Sequence, residues 1–76
     1  MSKPILYTKN ECSKCVLVKN LFMAMELEYE TVNIDENAEA KELLVSKGFL
    51  ALPVLQVEEE FIADVKQIQE KVKELI

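Results

Sequence analysis

The stretch "YTKNECSKCV" carries Cys12 and Cys15, the only two cysteines in a chain of 76 residues. Thiols at this spacing can ligate a metal, staple the chain or cycle between dithiol and disulfide. A structural zinc site wants four ligands. The chain has no histidine and no second cysteine pair, so such a site, or an iron–sulfur cluster, would need both cysteines from each of two chains. A staple across so short a loop gains little, because stabilisation through the unfolded state grows with loop length, and a reducing compartment would keep the thiols apart. Two ordinary buried cysteines are common, but that reading leaves their location unexplained.

The elements around the pair account for that location. "PILYT" (4–8) is short, apolar and rich in strand formers. A helical pattern starts at Ser13, capped by Ser13 or the preceding turn, with Leu17, Leu21, Ala24 and Met25 expected on one buried face. "YETVNI" (29–34) reads as a second strand. "DENAEAKELLVSKG" reads as a helix, capped by Asp35 or Asn37 and closed at Lys47-Gly48. "PVLQV" (53–57) and "EFIA" (60–63) read as strands joined through Glu58-Glu59, a tight turn made without glycine. Asp64 then caps a last helix on which Val65, Ile68, Val72 and Leu75 recur with helical spacing. The order β-α-β-α-β-β-α implies a four-stranded mixed sheet. Its first two strands are parallel across a helix, its last two form a hairpin, and helices cover both faces.

On this layout Cys12 stands at the first turn of a helix, where free N–H groups and the helix dipole favour negative charge. Of the lysines clustered around the pair (Lys9, Lys14 and Lys19), Lys9 and Lys14 add positive charge beside Cys12. Each of these effects favours the thiolate, the attacking species in disulfide exchange. Cys15, one turn further along the same side, is expected to be more buried. The pattern assigns Cys12 as nucleophile and Cys15 as the resolving thiol.

Composition narrows the alternatives. Half the residues are hydrophobic and the net charge is −5, which argues against sequence-independent nucleic-acid binding. No apolar run approaches ~20 residues, the length that spans a bilayer. No signal-peptide core is visible in "MSKPILYT", so a cytoplasmic location is expected. The absence of histidine rules out imidazole acid–base catalysis by this chain.

"ILYTKNECSKCVLVKNLF" resembles the opening strand, CxxC motif and first helix of the glutaredoxins, and "YETVNIDENAEAKELLVSKGFLALPVL" continues the match. Its closing "KGFLALPVL" is most similar to the NrdH-type redoxins, small glutaredoxin-like proteins that deliver electrons to ribonucleotide reductase. The resemblance implies a thioredoxin-like, glutaredoxin-type α/β fold over residues 1–76, with a cis Leu52-Pro53 bond facing the nucleophile. It implies that the main chain of Leu52 pairs with an extended substrate segment, as in strand addition. Lys9 matches a basic position before the motif that contacts a carboxylate or supports the thiolate, and Lys14 would favour the thiolate. Tyr7 is read as a packing residue. Phe49, Leu50 and Leu52 form an apolar stretch that could dock a partner or pack over the sheet.

The departures from the family bear on the electron donor. Ser13-Lys14 stands between the cysteines where glutaredoxins commonly carry Pro-Tyr. Glutathione-dependent members have Gly-Gly and then an acid after the fourth strand, and NrdH-type members have an "SGFRP" segment. "IADVKQI" has neither: Ala63-Asp64 replaces the glycines and Lys66 the acid. Asp64 could contact a ligand amine, although its better-supported role is the helix cap. The expectation is therefore a monomeric dithiol–disulfide oxidoreductase with no bound cofactor or metal. It would be reduced by thioredoxin reductase and NADPH in preference to glutathione and act on protein disulfides such as that of ribonucleotide reductase. A cluster carrier across a dimer and a non-catalytic thiol switch are the alternatives.

Overall fold

The computed structural model describes residues 3–49 and 52–75, with the side chain of Leu75 left out. The elements follow the expected order: β1 (Ile5–Thr8), α1 (Ser13–Ala24), β2 (Glu30–Asn33), α2 (Ala38–Ser46), β3 (Val54–Val57), β4 (Glu60–Ile62) and α3 (Val65–Leu75). The sheet runs β2-β1-β3-β4. β1 pairs parallel with β2, Thr8 opposite Asn33, and antiparallel with β3, Tyr7 opposite Val54. β3 and β4 form the hairpin, with Val57 opposite Glu60. This is the thioredoxin-like fold of the glutaredoxins.

Strand alternation sorts the core into two layers. Leu6, Leu55 and Ile62 face one way and pack against Val18 and Phe22 of α1 and Ile68 and Val72 of α3. Tyr7 and Val54 face the other way and pack against Ala40 and Leu44 of α2. Each fully buried aliphatic or aromatic side chain contributes roughly 1.5–3 kcal/mol, so both faces of the sheet hold the short strands in place.

The buried stripe of α1 differs from the expected one. Cys15, Val18 and Phe22 are buried, whereas Leu17 is 54% exposed. Ala24 is exposed as well, and Leu21 and Met25 only flank the core. Apolar residues lie on nearly every side of this helix, Val16 and Met23 included, so periodicity alone did not single out a face. The stripe Cys15–Val18–Phe22 wins because it places the largest side chain over Leu6 and Leu55. On α3 the expected Ile68 and Val72 are fully buried; the side chain of Leu75 lies outside the described residues.

Local signals set the ends of α2. Asn37 caps its start, its Oδ1 accepting the Ala40 N–H at 3.1 Å. Gly48 ends it at φ +88°. The N–H of Gly48 donates to the Val45 carbonyl and that of Phe49 to the Leu44 carbonyl, the glycine-terminated pattern that satisfies the last carbonyls of a helix. That turn carries Phe49 into the α2-side core beside Phe61, with ring centroids 5.9 Å apart. Of the two readings of the apolar stretch, packing therefore holds for Phe49; Leu50 lies outside the described residues. The hairpin turn forms without glycine because Glu58 takes φ +57°. Gln56 braces it: its Nε2 donates to the Glu58 carbonyl at 2.8 Å, and its Oε1 accepts the Tyr7 hydroxyl at 2.7 Å.

Candidate redox site

The end of β1 and the start of α1 build the site. Cys12 is itself the N-cap of α1, with extended backbone at φ −110°, ψ 103°. Its sulfur accepts the Cys15 N–H at 3.2 Å, and its carbonyl accepts the Val16 N–H at 3.2 Å. A sulfur in this position takes over one of the helix's free donors. As a thiolate it would also lie at the positive end of the helix dipole. Of the two expected capping positions, Ser13 or the preceding turn, the structure chooses the turn, at Cys12.

Cys12 and Cys15 are joined as a disulfide, with Cα atoms 5.2 Å apart. Cys15 is 2% exposed, while Cys12 is only partly buried. An external disulfide can therefore approach Cys12 and not Cys15. Among the described residues no group of three or more cysteines, aspartates or glutamates is arranged to hold a metal ion.

The second wall is the loop before β3. The Leu52-Pro53 bond is cis, and the Leu52 carbonyl oxygen lies 4.0 Å from the Cys12 sulfur. Two open troughs lie in this region. Lys9, Val16, Lys19 and Asn33 line one together with Cys12. Lys14, Leu17, Leu52, Pro53, Ala63 and Asp64 line the other. The site-side lysines are thus divided between the troughs, with Glu11 and Asp64 as acidic neighbours. The Asp64 carboxylate accepts the Lys66 N–H at 2.9 Å, and its carbonyl accepts the Ile68 N–H at 2.8 Å, as expected of a cap. Tyr7 is buried beneath the sheet; burial raises its pKa above the usual 10.0.

Sequence reasoning missed one feature. The loop from Lys9 to Glu11 is tied to the turn after β2 by Asn10, Asn33 and Asp35. Its legible signal was "NID" (33–35), an Asn placed to bond the backbone two residues on. Nothing local indicated that it would also reach Asn10. Glu11, directly before Cys12, sits in the left-handed region at φ +56°, a conformation that costs a residue with a side chain roughly 1–2 kcal/mol.

Comparison with known proteins agrees with this geometry. The glutaredoxin family model matches residues 5–62. The glutaredoxin-like protein NrdH of Lactococcus lactis subsp. lactis is 38% identical over 50 residues, spanning 66% of this chain and 69% of that protein. The structure of the Escherichia coli NrdH-redoxin superposes with a TM-score of 0.81 at 27% identity, covering 91% of this chain and 93% of that one. The thioredoxin-like protein BC3987 gives 0.80 at 27% identity, covering 97% of this chain and all of its own. The chain belongs to the glutaredoxin family, as a thiol–disulfide oxidoreductase of the NrdH-redoxin type.

Proposed function

We propose that the protein is a dithiol electron carrier that reduces protein disulfides, with ribonucleotide reductase as its client and thioredoxin reductase as its donor. The observation that carries this reading is the placement of Cys12: at a helix N-cap, reachable from outside, and opposite the Leu52 carbonyl. In the forward reaction the Cys12 thiolate attacks one client sulfur. The client disulfide breaks, a mixed disulfide forms and one client thiolate leaves. Cys15 then gives up its proton and attacks the Cys12 sulfur, releasing the second client thiolate and forming the Cys12–Cys15 disulfide. Two electrons pass to the client, and NADPH restores the dithiol through the reductase. During attack an extended client segment pairs with the main chain of Leu52 ahead of Pro53. Lys9, Lys14 and Asp64 border that segment and contact its polar groups.

Two features support the choice of donor. Ala63, Asp64 and Lys66 stand where glutathione-dependent relatives carry Gly-Gly and an acid, and the Asp64 carboxylate already caps α3. The E. coli NrdH-redoxin, a structural neighbour, is described as having a thioredoxin-like activity profile. Such a carrier works as a monomer in the reducing cytoplasm. Parallel turnover assays with thioredoxin reductase plus NADPH and with glutathione plus glutathione reductase test the donor. Faster turnover with the first is expected, and efficient turnover with glutathione alone contradicts it. Reconstitution with ribonucleotide reductase tests the client: a failure to support its turnover would contradict that assignment.

A further inference from the structure

The geometry points to Asn33 and Asp35 as positioning residues for the nucleophile: a clamp from the β2–α2 turn that holds Asn10, and through it the loop presenting Cys12. This rests on the reading of Cys12 as the attacking thiol. Three hydrogen bonds form the clamp. The Asn10 N–H donates to Asp35 Oδ2 at 2.8 Å, Asn33 Nδ2 donates to Asn10 Oδ1 at 3.0 Å, and the Asp35 N–H donates to Asn33 Oδ1 at 2.9 Å. Asn10 is thereby held at both its main chain and its side chain by residues 23 and 25 positions away.

Its place in the fold gives the clamp its leverage. β1 ends at Thr8, whose carbonyl accepts the Ile34 N–H at 2.8 Å, and α1 begins at Ser13. Between these fixed points, Glu11 takes the left-handed conformation at φ +56°. A residue in that region persists when the surrounding structure over-determines it. The clamp on Asn10 supplies that constraint one residue upstream, and the Cys15 N–H bond to the Cys12 sulfur holds the loop one residue downstream. Releasing Asn10 frees Glu11 to return to the ordinary region. The Cys12 sulfur then swings off the N-cap and loses the N–H that favours its thiolate. The same clamp keeps Asn33 in the trough beside Cys12, Lys9 and Lys19.

The test uses Asp35→Ala and Asn33→Ala, with Asp35→Asn as the conservative variant that keeps an acceptor for the Asn10 N–H. The reduced proteins are alkylated with iodoacetamide at fixed neutral pH and assayed for protein-disulfide reduction, after circular dichroism has established that they are folded. Both alanine variants are expected to alkylate about fivefold more slowly, the scale of one lost hydrogen bond. Their kcat/KM should fall in parallel, and Asp35→Asn should stay near wild type. A purely structural clamp would lower the melting temperature and leave the alkylation rate of the folded protein unchanged. Wild-type alkylation rates in folded Asp35→Ala and Asn33→Ala would overturn the proposal, and so would an Asp35→Asn rate as low as that of Asp35→Ala. Mass mapping of the wild-type adduct separates this claim from the one beneath it. An adduct on Cys15 overturns the assignment of Cys12 as nucleophile, whereas an adduct on Cys12 with unaltered variant rates overturns the clamp alone.

Discussion

Replacing Ser13 with proline should stabilise the protein. α1 begins at Ser13 with Cys12 as its N-cap, so Ser13 is the first helical residue. Its N–H has no partner within the helix, and a helical φ lies close to the value that a proline ring imposes. The residue before a proline must be extended, and Cys12 already is, at φ −110° and ψ 103°. Ser13 is exposed, so the ring meets no packed neighbour. With native strain absent, the gain comes from the unfolded chain's lost freedom, about 0.4–1 kcal/mol. In a domain of this size that corresponds to a rise in Tm of about 2–8 °C. Thermal melts of the oxidised wild type and Ser13→Pro, followed by circular dichroism, measure it. The Cys15 N–H bond to the Cys12 sulfur does not involve the Ser13 nitrogen, so the alkylation rate of the reduced variant should stay near wild type. A Tm below the wild type's would refute the reasoning, because it would mean that the Ser13 N–H is in use or that the helix starts elsewhere.

Further expectations concern the core and the sheet. Phe22→Ala should cost about 3–5 kcal/mol, whereas Leu17→Ala should stay within about 0.5 kcal/mol; chemical denaturation of the pair checks which face of α1 is buried. Tyr7→Phe removes the hydroxyl that donates to Gln56 and should cost about 1 kcal/mol near neutral pH. Burial raises the Tyr7 pKa above 10.0, so the folded state holds the proton to higher pH than the unfolded state does. Its share of stability is present below pH 10 and is lost as pH rises through the folded pKa. Denaturant titrations of the wild type and Tyr7→Phe at neutral and strongly alkaline pH should therefore show a smaller alkaline loss in the variant.

Much of this was legible in the sequence, because the relevant signals are local. The short apolar runs "PILYT" and "PVLQV" marked the central strands, and Lys47-Gly48 marked the end of α2. The position of Cys12 and Cys15 at a strand-to-helix junction indicated their chemistry before any fold was known. The misread face of α1 had a different cause. "VLVKNLFMAM" is apolar on too many sides for spacing to choose one, and the choice is made by the sheet it packs on. The left-handed Glu11 and Glu58 were equally hidden, since neither position carries the glycine that would announce it. The tie between Asn10, Asn33 and Asp35 depends on the parallel register that sets Thr8 opposite Asn33, a tertiary fact with no local signature.

The central claim is that Cys12 attacks and Cys15 resolves. It is tested most directly by mass spectrometry of Cys15→Ser and Cys12→Ser after each reduced variant is mixed with a protein disulfide client. Cys15→Ser should accumulate a covalent adduct joined through Cys12, and Cys12→Ser should form none and turn over no client. An adduct through Cys15 in Cys12→Ser, or wild-type disulfide reduction by that variant, would contradict the account.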